Sequence, residues 1–333
     1  MAKNLAIAGV TGAVGQELLE IFEQRDVPFK SLKMLASSRS AGKKITFKGV
    51  EYTVEELTEN SFNGVDIALF SAGGGRSKQF APAAVKAGAV VVDNSSAFRM
   101  DPSVPLVVPE VNSDAIAQHS GIIANPNCST IIANVPVWPL HKANPIKRMI
   151  VSTYQAVSGA GQAGITELMN QTKAVLEGKE TICDKFSYQI AFNLFSHDSK
   201  IGPNGYNEEE MKMVNETHKI FSCPEMAITC TCVRVPVARA HSESISLEFT
   251  EPITPDEVRQ LLSAAPGVTV IDDRENNRFP MPLDASGQDD VFVGRIREDE
   301  SVEGHRGINL WVVGDQIRKG AALNAVQIAE KLL

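Results

Sequence analysis

The sequence predicts an α/β fold in two lobes, on three observations. The chain has 333 residues, more than the roughly 100–200 of a typical single domain. Up to about residue 125, short β-branched runs alternate with helical spacing, which predicts a mostly parallel sheet with helices on both faces. Beyond about residue 146 the apolar runs are longer and alternate with polar residues, which predicts a mostly antiparallel sheet with one open face.

The elements of the first lobe follow from its apolar runs. The predicted strands are Leu5–Ala8, Leu32–Ala36, Val65–Phe70, Val90–Val92 and Ile122–Ala124. Apolar residues at helical spacing between these strands predict helices over Val14–Glu23 and Gln79–Lys86.

The second lobe is assigned in the same way. Its predicted strands are Met149–Ala156, Ala227–Val237, Ser244–Phe249, Val291–Arg297 and Gly307–Val313. Its predicted helices are Gly164–Leu176, Glu208–Ile220 and Pro255–Ala264, the last with Thr254 as its N-cap. The tail Gln316–Leu332 has the spacing of an amphipathic helix.

Composition and charge exclude several classes of protein. Apolar residues make up 43% of the chain and charged residues 22%, as in ordinary globular proteins. The net charge of −8 argues against a nucleic-acid partner, and no apolar run is long enough for a membrane span or a signal peptide. We therefore expect a cytoplasmic protein that binds neither nucleic acid nor membranes.

Cysteines and histidines give no sign of a disulfide framework or a metal site. Five cysteines, an odd number, indicate free thiols. Cys230 and Cys232 alternate on one predicted strand face, as small core residues do. His119, His141, His197, His218 and His305 lack metal-ligand spacing, so we expect no metal.

A glycine-rich turn follows the first predicted strand. Gly9, Gly12 and Gly15 have the spacing G-x-x-G-x-x-G, one residue longer at the first gap than the usual dinucleotide fingerprint. Glycines let the backbone approach a pyrophosphate, and the helix that follows offers N–H groups to it. The turn, with Thr11, Ala13 and Val14 between the glycines, therefore predicts a Rossmann-type nucleotide site, the alternative being a tight turn without a ligand.

The end of the second strand indicates which dinucleotide binds. An NAD site usually has an acidic residue there for the ribose 2′-hydroxyl. This chain instead has Ser37, Ser38 and Arg39, which are donors suited to a 2′-phosphate. We therefore predict NADP as the cofactor, although an arginine in a solvated loop would give the same pattern.

Cys128 is the candidate nucleophile. It follows a short strand in the segment 125–130 and precedes an apolar helical run, so it lies near a helix N-terminus. That position lowers the pKa of a thiol and supplies N–H donors to an oxyanion. Spacing alone does not separate this interpretation from an inert core cysteine.

The ordered motifs of the chain resemble the aspartate-β-semialdehyde dehydrogenase family nearly end to end. They are the segments 9–15, 71–74, 94–99, 125–130, 155–161 and 234–241. The resemblance implies Cys128 as nucleophile, His241 as acid and base for both proton transfers, and Gln155 beside the thioester. We expect the Cys128 backbone N–H and the Asn127 amide to meet the oxyanion.

The resemblance also assigns the substrate-binding residues. Arg234 would bind the substrate carboxylate, and Arg99 and Lys212 the phosphate. Glu210 would face the substrate amino group, with a register that the three adjacent glutamates leave open by one residue. Arg234 and His241 are seven residues apart, and the odd spacing requires a bend near Pro236 if both face one site.

The reaction implied is the NADPH-dependent reductive dephosphorylation of L-aspartyl 4-phosphate to aspartate semialdehyde and phosphate, through a Cys128 thioester. Its place is the biosynthesis of lysine, threonine, methionine and diaminopimelate. Further cofactor contacts are implied for Ser71, Ala72, Gly73, Ser158, Gly159 and Gln316.

The division into domains follows from these assignments. We predict an NADP-binding domain of residues 1–127 plus 315–333, and a catalytic and dimerisation domain of residues 128–314. The open face of the second sheet indicates a homodimer or homotetramer.

Two other functions fit parts of the pattern. N-acetyl-γ-glutamyl-phosphate reductase uses the same cysteine chemistry on a longer, acetylated acyl phosphate, but an acid facing a free ammonium group favours the aspartyl substrate. A catalytically inactive NADP-binding sensor is the second, and the presence of both Cys128 and His241 argues against it.

Overall fold

The computed structural model describes residues 2–333, and the chain forms two compact units. The first unit runs to Asn127 and includes Ala321–Leu333; the second is Cys128–Gly320. The sequence-based division has the same first boundary and places the second at 314/315 rather than 320/321.

The first unit is built on a parallel sheet whose strand order is β5-β2-β1-β6-β7-β8, with an additional β3–β4 hairpin. Its strands are β1 Lys3–Ala8, β2 Phe29–Ala36, β3 Lys44–Phe47, β4 Val50–Thr53, β5 Glu55–Glu56, β6 Ile67–Phe70, β7 Val90–Asp93 and β8 Ile122–Ala124. Its helices before the second unit are α1 Ala13–Gln24, α2 Gly74–Lys86 and α3 Pro109–Asn112.

Helices on both faces of this sheet explain why its central strands, β6 and the part of β1 from Leu5 onward, are apolar at every position. Leu5 and Ile7 of β1 belong to one core cluster, and Ala6 and Ala8 to another on the opposite face. A strand buried on both faces needs an apolar residue at every position rather than at alternate ones. The predicted Rossmann-type architecture is confirmed.

The second unit contains a mixed sheet with the strand order β10-β11-β9-β12-β15-β14-β13. The strands are β9 Ile146–Gln155, β10 Phe195–Ser196, β11 Ala227–Arg234, β12 His241–Phe249, β13 Val268–Val270, β14 Val291–Glu298 and β15 Gly307–Gly314. The helices are α4 Cys128–Ala143, α5 Gln162–Leu176, α6 Glu208–Phe221, α7 Pro255–Ser263 and α8 Pro282–Ala285. Two neighbouring pairs, β9 with β11 and β13 with β14, are parallel, and the others are antiparallel.

One face of the second sheet lies under helices and the other is open. Along β9, Val151 and Thr153 are fully buried, whereas Ser152 is half-buried and Tyr154 is exposed. The Tyr154 ring packs against Trp311 of β15 on the open face, with ring centroids 5.5 Å apart. The alternating pattern thus follows the pleat, as expected for a sheet with one covered face.

The last helix belongs to the first unit and differs from the sequence-based prediction. A π-helical turn covers Arg318–Ala322, and α9 is Leu323–Glu330. The predicted amphipathic character is wrong, because α9 is buried on nearly every side. Its polar Asn324 is also buried and donates to the carbonyl of Val107 and to Asn125 Oδ1.

Four cysteines lie away from the helix start that Cys128 occupies. Cys230 and Cys232 are buried on one face of β11 with their sulfurs 3.6 Å apart, Cys223 is buried and Cys183 is exposed. Within residues 2–333 there is no helix with the length and hydrophobicity of a membrane span.

Candidate active site

Cys128 is the first residue of α4, and its side chain faces His241. The Cys128 Sγ and the His241 Nε2 are 3.6 Å apart. Because the first turn of a helix has backbone N–H groups without helical acceptors, the start of α4 offers donors and a positive dipole end near the sulfur. This is the arrangement that nucleophilic thiol chemistry uses.

Three neighbouring strands bring the other side chains to one edge of the sheet. Gln155 ends β9, Arg234 ends β11 and His241 begins β12. Since β11 is parallel to β9 and β12 is antiparallel to it, all three residues lie at the same end of the strands. The loop 235–240 supplies the bend that the spacing of Arg234 and His241 requires.

The orientation of the His241 ring is fixed by the backbone. The Ala156 N–H donates to Nδ1 at 3.0 Å. Nδ1 is therefore an acceptor, and the proton of the neutral ring is on Nε2, the atom that faces Cys128. Burial, followed by the charge of Arg234, lowers the pKa of His241 to about 3.

This geometry changes the predicted role of His241. The ring is neutral over the physiological range, and the nitrogen beside the sulfur already carries a proton. His241 is therefore placed to donate to a thiolate or an oxyanion. The hydrogen bond from the Ala156 N–H to Nδ1 therefore argues against the predicted role in which His241 accepts the proton of the Cys128 thiol.

Arg234 is a buried cation with neutral partners. Its Nη1 donates to the Ala156 carbonyl at 2.9 Å and its Nη2 to His197 Nε2 at 2.8 Å. Its Nε is buried without a hydrogen-bond partner. The Phe186 ring lies 5.7 Å from the guanidinium carbon. A guanidinium buried in this way has donor capacity available for an anion.

Gln155 connects the cysteine helix to the start of α6. Its Nε2 lies 3.1 Å from Ser129 Oγ and 3.4 Å from Glu209 Oε1. The Lys212 Nζ is 2.9 Å from Glu209 Oε2. The structure thus brings Gln155, Glu209 and Lys212 together beside the residue that follows Cys128.

The glutamate nearest the site is Glu209 rather than the predicted Glu210. Glu210 instead completes a capping box at the start of α6, where its carboxylate accepts from the Asn207 N–H at 2.9 Å and the Cys232 N–H at 3.1 Å. Two adjacent residues on a helix point in directions about 100° apart, so only one of them can face the site. The capping box was the available signal, and it assigns Glu210 to the helix terminus.

The loop after β9 holds two of the predicted cofactor residues. Ser158 accepts a hydrogen bond from Gln316 Nε2, and Gln316 Oε1 accepts from the Ala240 N–H at 2.9 Å. A Cβ at Gly159 would lie 3.1 Å from Arg234 Nη1 and 3.3 Å from His241 Nε2. The absence of a side chain at Gly159 therefore keeps the space beside both residues open.

The glycine turn of the first unit fits a dinucleotide. Gly9 has a φ of +95°, and a Cβ there would collide with the Ser71 carbonyl. α1 begins at Ala13 after Gly12, and no side chain caps it. The uncapped N–H groups at residues 13–15 are suited to a pyrophosphate. Thr11 and Val14 lie in the same turn and first helical turn.

Further predicted contacts of the first unit lie after β2 and β6. Ser37 precedes a 3₁₀ turn that contains Ser38 and an exposed Arg39, and no acidic residue ends β2. Ala72 and Gly73, with Ser71, connect β6 to α2. These positions lie beyond the carboxyl ends of parallel strands, where doubly wound sheets bind nucleotides.

Arg99 and Asn127 belong to the first unit and are buried. The Arg99 guanidinium donates to the backbone carbonyls of Asn125 at 2.9 Å and Asn94 at 3.0 Å. The structure therefore fixes Arg99 against the segment that leads to Cys128.

Sequence reasoning missed one residue of the site, His197. By sequence alone it is considered only as a metal ligand, whereas in the structure its ring contacts Arg234. The contact arises because β10 pairs with the end of β11, with Phe195 opposite Arg234. Nothing in the spacing of the sequence indicates that pairing.

Family models match both units. The description "Semialdehyde dehydrogenase, NAD binding domain" applies to residues 4–119, and "Semialdehyde dehydrogenase, dimerisation domain" to residues 137–319. An aspartate-semialdehyde dehydrogenase of Synechocystis is 54% identical over 99% of this chain and 97% of its own length. That of Aquifex aeolicus is 55% identical over 100% and 98%.

The chain belongs to the aspartate-semialdehyde dehydrogenase family. Solved structures of this family agree with the fold. Aspartate semialdehyde dehydrogenase II of Vibrio cholerae is 49% identical and superimposes with a TM-score of 0.96 over 100% of this chain and 98% of the Vibrio chain. One structure of that protein is a complex with ASA. A Candida albicans family member with NADP is 26% identical over 100% and 98%, with a TM-score of 0.77.

Proposed function

We propose the residue roles by which this chain carries out the aspartate-semialdehyde dehydrogenase reaction. As a member of this family it is an NADP-dependent, phosphorylating aldehyde dehydrogenase of aspartate-family amino-acid biosynthesis. The observation that supports the roles is a thiol 3.6 Å from a neutral imidazole, next to a buried arginine without a carboxylate partner. The substrate is L-aspartyl 4-phosphate in one direction, and aspartate semialdehyde with phosphate in the other.

In the first step the Cys128 thiolate attacks the acyl carbon of the acyl phosphate. A carbon–sulfur bond forms, the carbon–oxygen bond to phosphate breaks, and phosphate leaves with the bonding electrons. The start of α4 and the nearby Arg234 favour the negative sulfur. The one proton that the overall reaction consumes ends on the phosphate.

Reduction of the resulting thioester depends on donors around its carbonyl. NADPH, when bound, supplies the hydride. The Cys128 backbone N–H, the Asn127 amide and the His241 Nε2–H then stabilise the oxyanion. When the oxyanion collapses, the carbon–sulfur bond breaks, the electron pair returns to Cys128 and the aldehyde is released. In this scheme His241 acts through the proton on Nε2.

Each of the remaining site residues is assigned to one chemical group of the substrate. Arg234 binds the α-carboxylate through two parallel hydrogen bonds, which a guanidinium provides and an ammonium does not. Glu209 faces the α-amino group, in place of the predicted Glu210. Lys212 and Arg99 bind the phosphate, and Gln155 contacts the thioester.

The cofactor-binding roles follow the two loops described above. Gly9, Gly12 and Gly15 with the start of α1 hold the pyrophosphate, and Ser37, Ser38 and Arg39 hold the 2′-phosphate. We assign contacts with the nicotinamide half to Ser158, Gly159 and Gln316, and supporting backbone contacts to the segment 71–73.

Turnover assays separate this function from its alternatives. In the reverse direction, aspartate semialdehyde plus phosphate should reduce NADP, whereas N-acetylglutamate semialdehyde should not. Turnover of only the acetylated compound would show that the substrate assignment is wrong. NADP binding without turnover of either compound would indicate an inactive sensor.

We also propose that the chain is a homodimer or homotetramer built through the second unit. Large apolar side chains are exposed on α5 and on the segment before α6: Leu176, Ile182, Tyr188, Phe192, Leu194 and Ile201. An exposed apolar surface of this kind is typical of an interface, and a second copy is its proposed partner. Light scattering should give at least twice the 35.9 kDa chain mass, and Leu194→Asp should lower it.

The proposed compartment is the cytoplasm. All five cysteines are free thiols. The mechanism needs Cys128 reduced, which a reducing compartment maintains. Fractionation of cells with an antibody against the chain tests this assignment.

A further inference from the structure

His197 lies beside the substrate-binding arginine without having been assigned a role. It follows β10, where its backbone N–H donates to the Cys232 carbonyl at 2.8 Å. Its Nε2 is 2.8 Å from Arg234 Nη2. The ring is therefore anchored on the edge of β11, next to the buried guanidinium.

The hydrogen bonds determine which nitrogen of His197 carries the proton. A guanidinium can only donate, so Nε2 must be the acceptor. The proton of the neutral ring is then on Nδ1, and Ser199 Oγ, 3.1 Å away, can accept it. The Ser199 backbone N–H also lies 3.2 Å from Nδ1, but the shorter contact with Arg234, at 2.8 Å and with a cation that can only donate, decides the tautomer. Ser199 Oγ also accepts the Glu209 backbone N–H at 3.2 Å. A continuous path therefore runs from Arg234 through His197 and Ser199 to the start of α6.

Burial, more than the surrounding charges, opposes a second proton on the His197 ring. Arg234 on β11, Lys212 on α6 and His241 on β12 are the basic groups facing it, and Glu209 on α6 with Asp198 beside it are the acidic ones. Burial is the largest cause of its lowered pKa. A proton on Nε2 would point at Arg234 Nη2 and break their hydrogen bond.

We propose that neutral His197 is a positioning residue for the substrate carboxylate, because it orients Arg234 and connects it to the helix that carries Glu209 and Lys212. This inference rests on the proposed function. Arg234 has two fixed donors, to His197 and to Ala156, and a buried Nε without a partner. Because both terminal nitrogens are held, the plane of the guanidinium is fixed, as recognition of a carboxylate by two parallel hydrogen bonds requires.

The main test compares three variants. His197→Leu removes the acceptor and should raise the KM for aspartate semialdehyde about 10-fold or more, with the KM for phosphate and for NADP within about twofold and kcat within about threefold. His197→Gln places a carbonyl oxygen near the Nε2 position and should restore most of the lost affinity. His218→Gln is the matched control, since His218 contacts the Met226 carbonyl instead of the site, and it should leave the KM for the semialdehyde unchanged.

The pH dependence gives a readout that a structural role would not produce. In the wild type the KM for the semialdehyde should rise as pH falls toward the lowered pKa of His197, because the protonated ring no longer accepts from Arg234. His197→Gln should lack this rise. A His197→Leu variant with unchanged KM, or equal changes in kcat and every KM for both substitutions, would overturn the proposal.

A measurement independent of turnover separates this inference from the proposed function. Nitrogen-15 NMR of histidine-labelled protein should show His197 neutral at about pH 7 with its proton on Nδ1, and Arg234→Leu should change that resonance. A proton on Nε2 or a charged ring would overturn the positioning role whatever the substrate is. If the NMR result holds and the wild type turns over no aspartate semialdehyde, the proposed function fails instead.

Discussion

Arg234 and Arg239 stand at the two ends of one loop and have opposite surroundings. Arg239 lies 2.6 Å from the fully buried carboxylate of Asp315, which also accepts backbone N–H groups of Gly287 and Ile317. Arg234 is almost fully buried, and its hydrogen-bond partners are a carbonyl and a neutral imidazole. Within residues 2–333 no ion pair includes Arg234.

This difference in hydrogen-bond partners indicates which of the two arginines is suited to bind an anionic ligand. Arg239, whose side chain is 31% exposed, has its charge balanced by a buried protein carboxylate, so its role is structural. A guanidinium held by neutral acceptors keeps a charge that an external anion can balance. The two arginines therefore differ in the chemistry of their partners as well as in burial.

The largest expected effect concerns the sulfur beside Arg234. Cys128→Ser should lower kcat by at least about 10³-fold, because an alcohol is far less ionised than a thiol at neutral pH. Substrate should still bind, since Arg234 is unchanged. Steady-state turnover and calorimetric binding of aspartate semialdehyde measure the two effects, and near-normal turnover would remove Cys128 from the mechanism.

The two arginines themselves are compared by the same substitution. Arg234→Leu should raise the KM for aspartate semialdehyde about 100-fold, with little loss of folding stability because an unpaired buried charge is removed. Arg239→Leu should instead lower the free energy of unfolding by about 1–3 kcal/mol. Kinetics and urea denaturation of both variants test this. Equal changes in KM would contradict the distinction.

Lys212→Ala provides the contrast within the site. The substitution should raise the KM for phosphate more than the KM for aspartate semialdehyde in steady-state assays, which is the reverse of the effect expected for Arg234→Leu. A rise of the same constant in both variants would show that the two anion sites are wrongly assigned.

Arg39 extends the comparison to an exposed arginine of the first unit. Arg39→Ala should reduce the preference for NADP over NAD about 10-fold, because a charge-assisted contact with the 2′-phosphate is lost. The ratio of kcat/KM for the two dinucleotides measures it. An unchanged ratio would exclude Arg39 from the 2′-phosphate site.

Glu243 is the acidic counterpart of Arg234, and it should affect the pH dependence of stability instead of catalysis. It is fully buried, its carboxyl oxygens lack hydrogen-bond partners, and burial raises its pKa well above the ordinary value. The folded state therefore retains a proton that the unfolded chain releases above about pH 4.3, so this group makes stability fall as pH rises from there toward the folded pKa. Glu243→Gln should remove that decline, as urea denaturation at about pH 5 and about pH 8 would show. An identical pH dependence in both proteins would contradict it.

The sequence predicted the elements whose signal is local. Apolar periodicity located the strands of both sheets except the short β5, β10 and β13. Thr254 and Pro255 marked the start of α7, where the capping box is observed. The glycine turn and the position of Cys128 at a helix start also follow from neighbouring residues. These features depend on contacts a few residues apart, which spacing records.

Features that depend on distant contacts were not predictable. The sequence predicts an amphipathic helix at α9, but the helix is buried because its polar Asn324 finds acceptors at Val107 and Asn125. The acceptor state of His241 Nδ1 depends on a backbone N–H 85 residues away in sequence. Spacing can identify a histidine, but only the fold decides which of its nitrogens carries the proton.

Ala156 contributes two backbone groups to the site. Its carbonyl holds Arg234 and its N–H holds His241. The distance between Arg234 and His241 is thus set by the covalent geometry of one residue, because both side chains are hydrogen-bonded to its backbone. A substitution other than proline at this position leaves both backbone groups in place, whereas any shift of the backbone there moves both partners together. Variants that displace the end of β9 should consequently change substrate affinity and turnover in parallel.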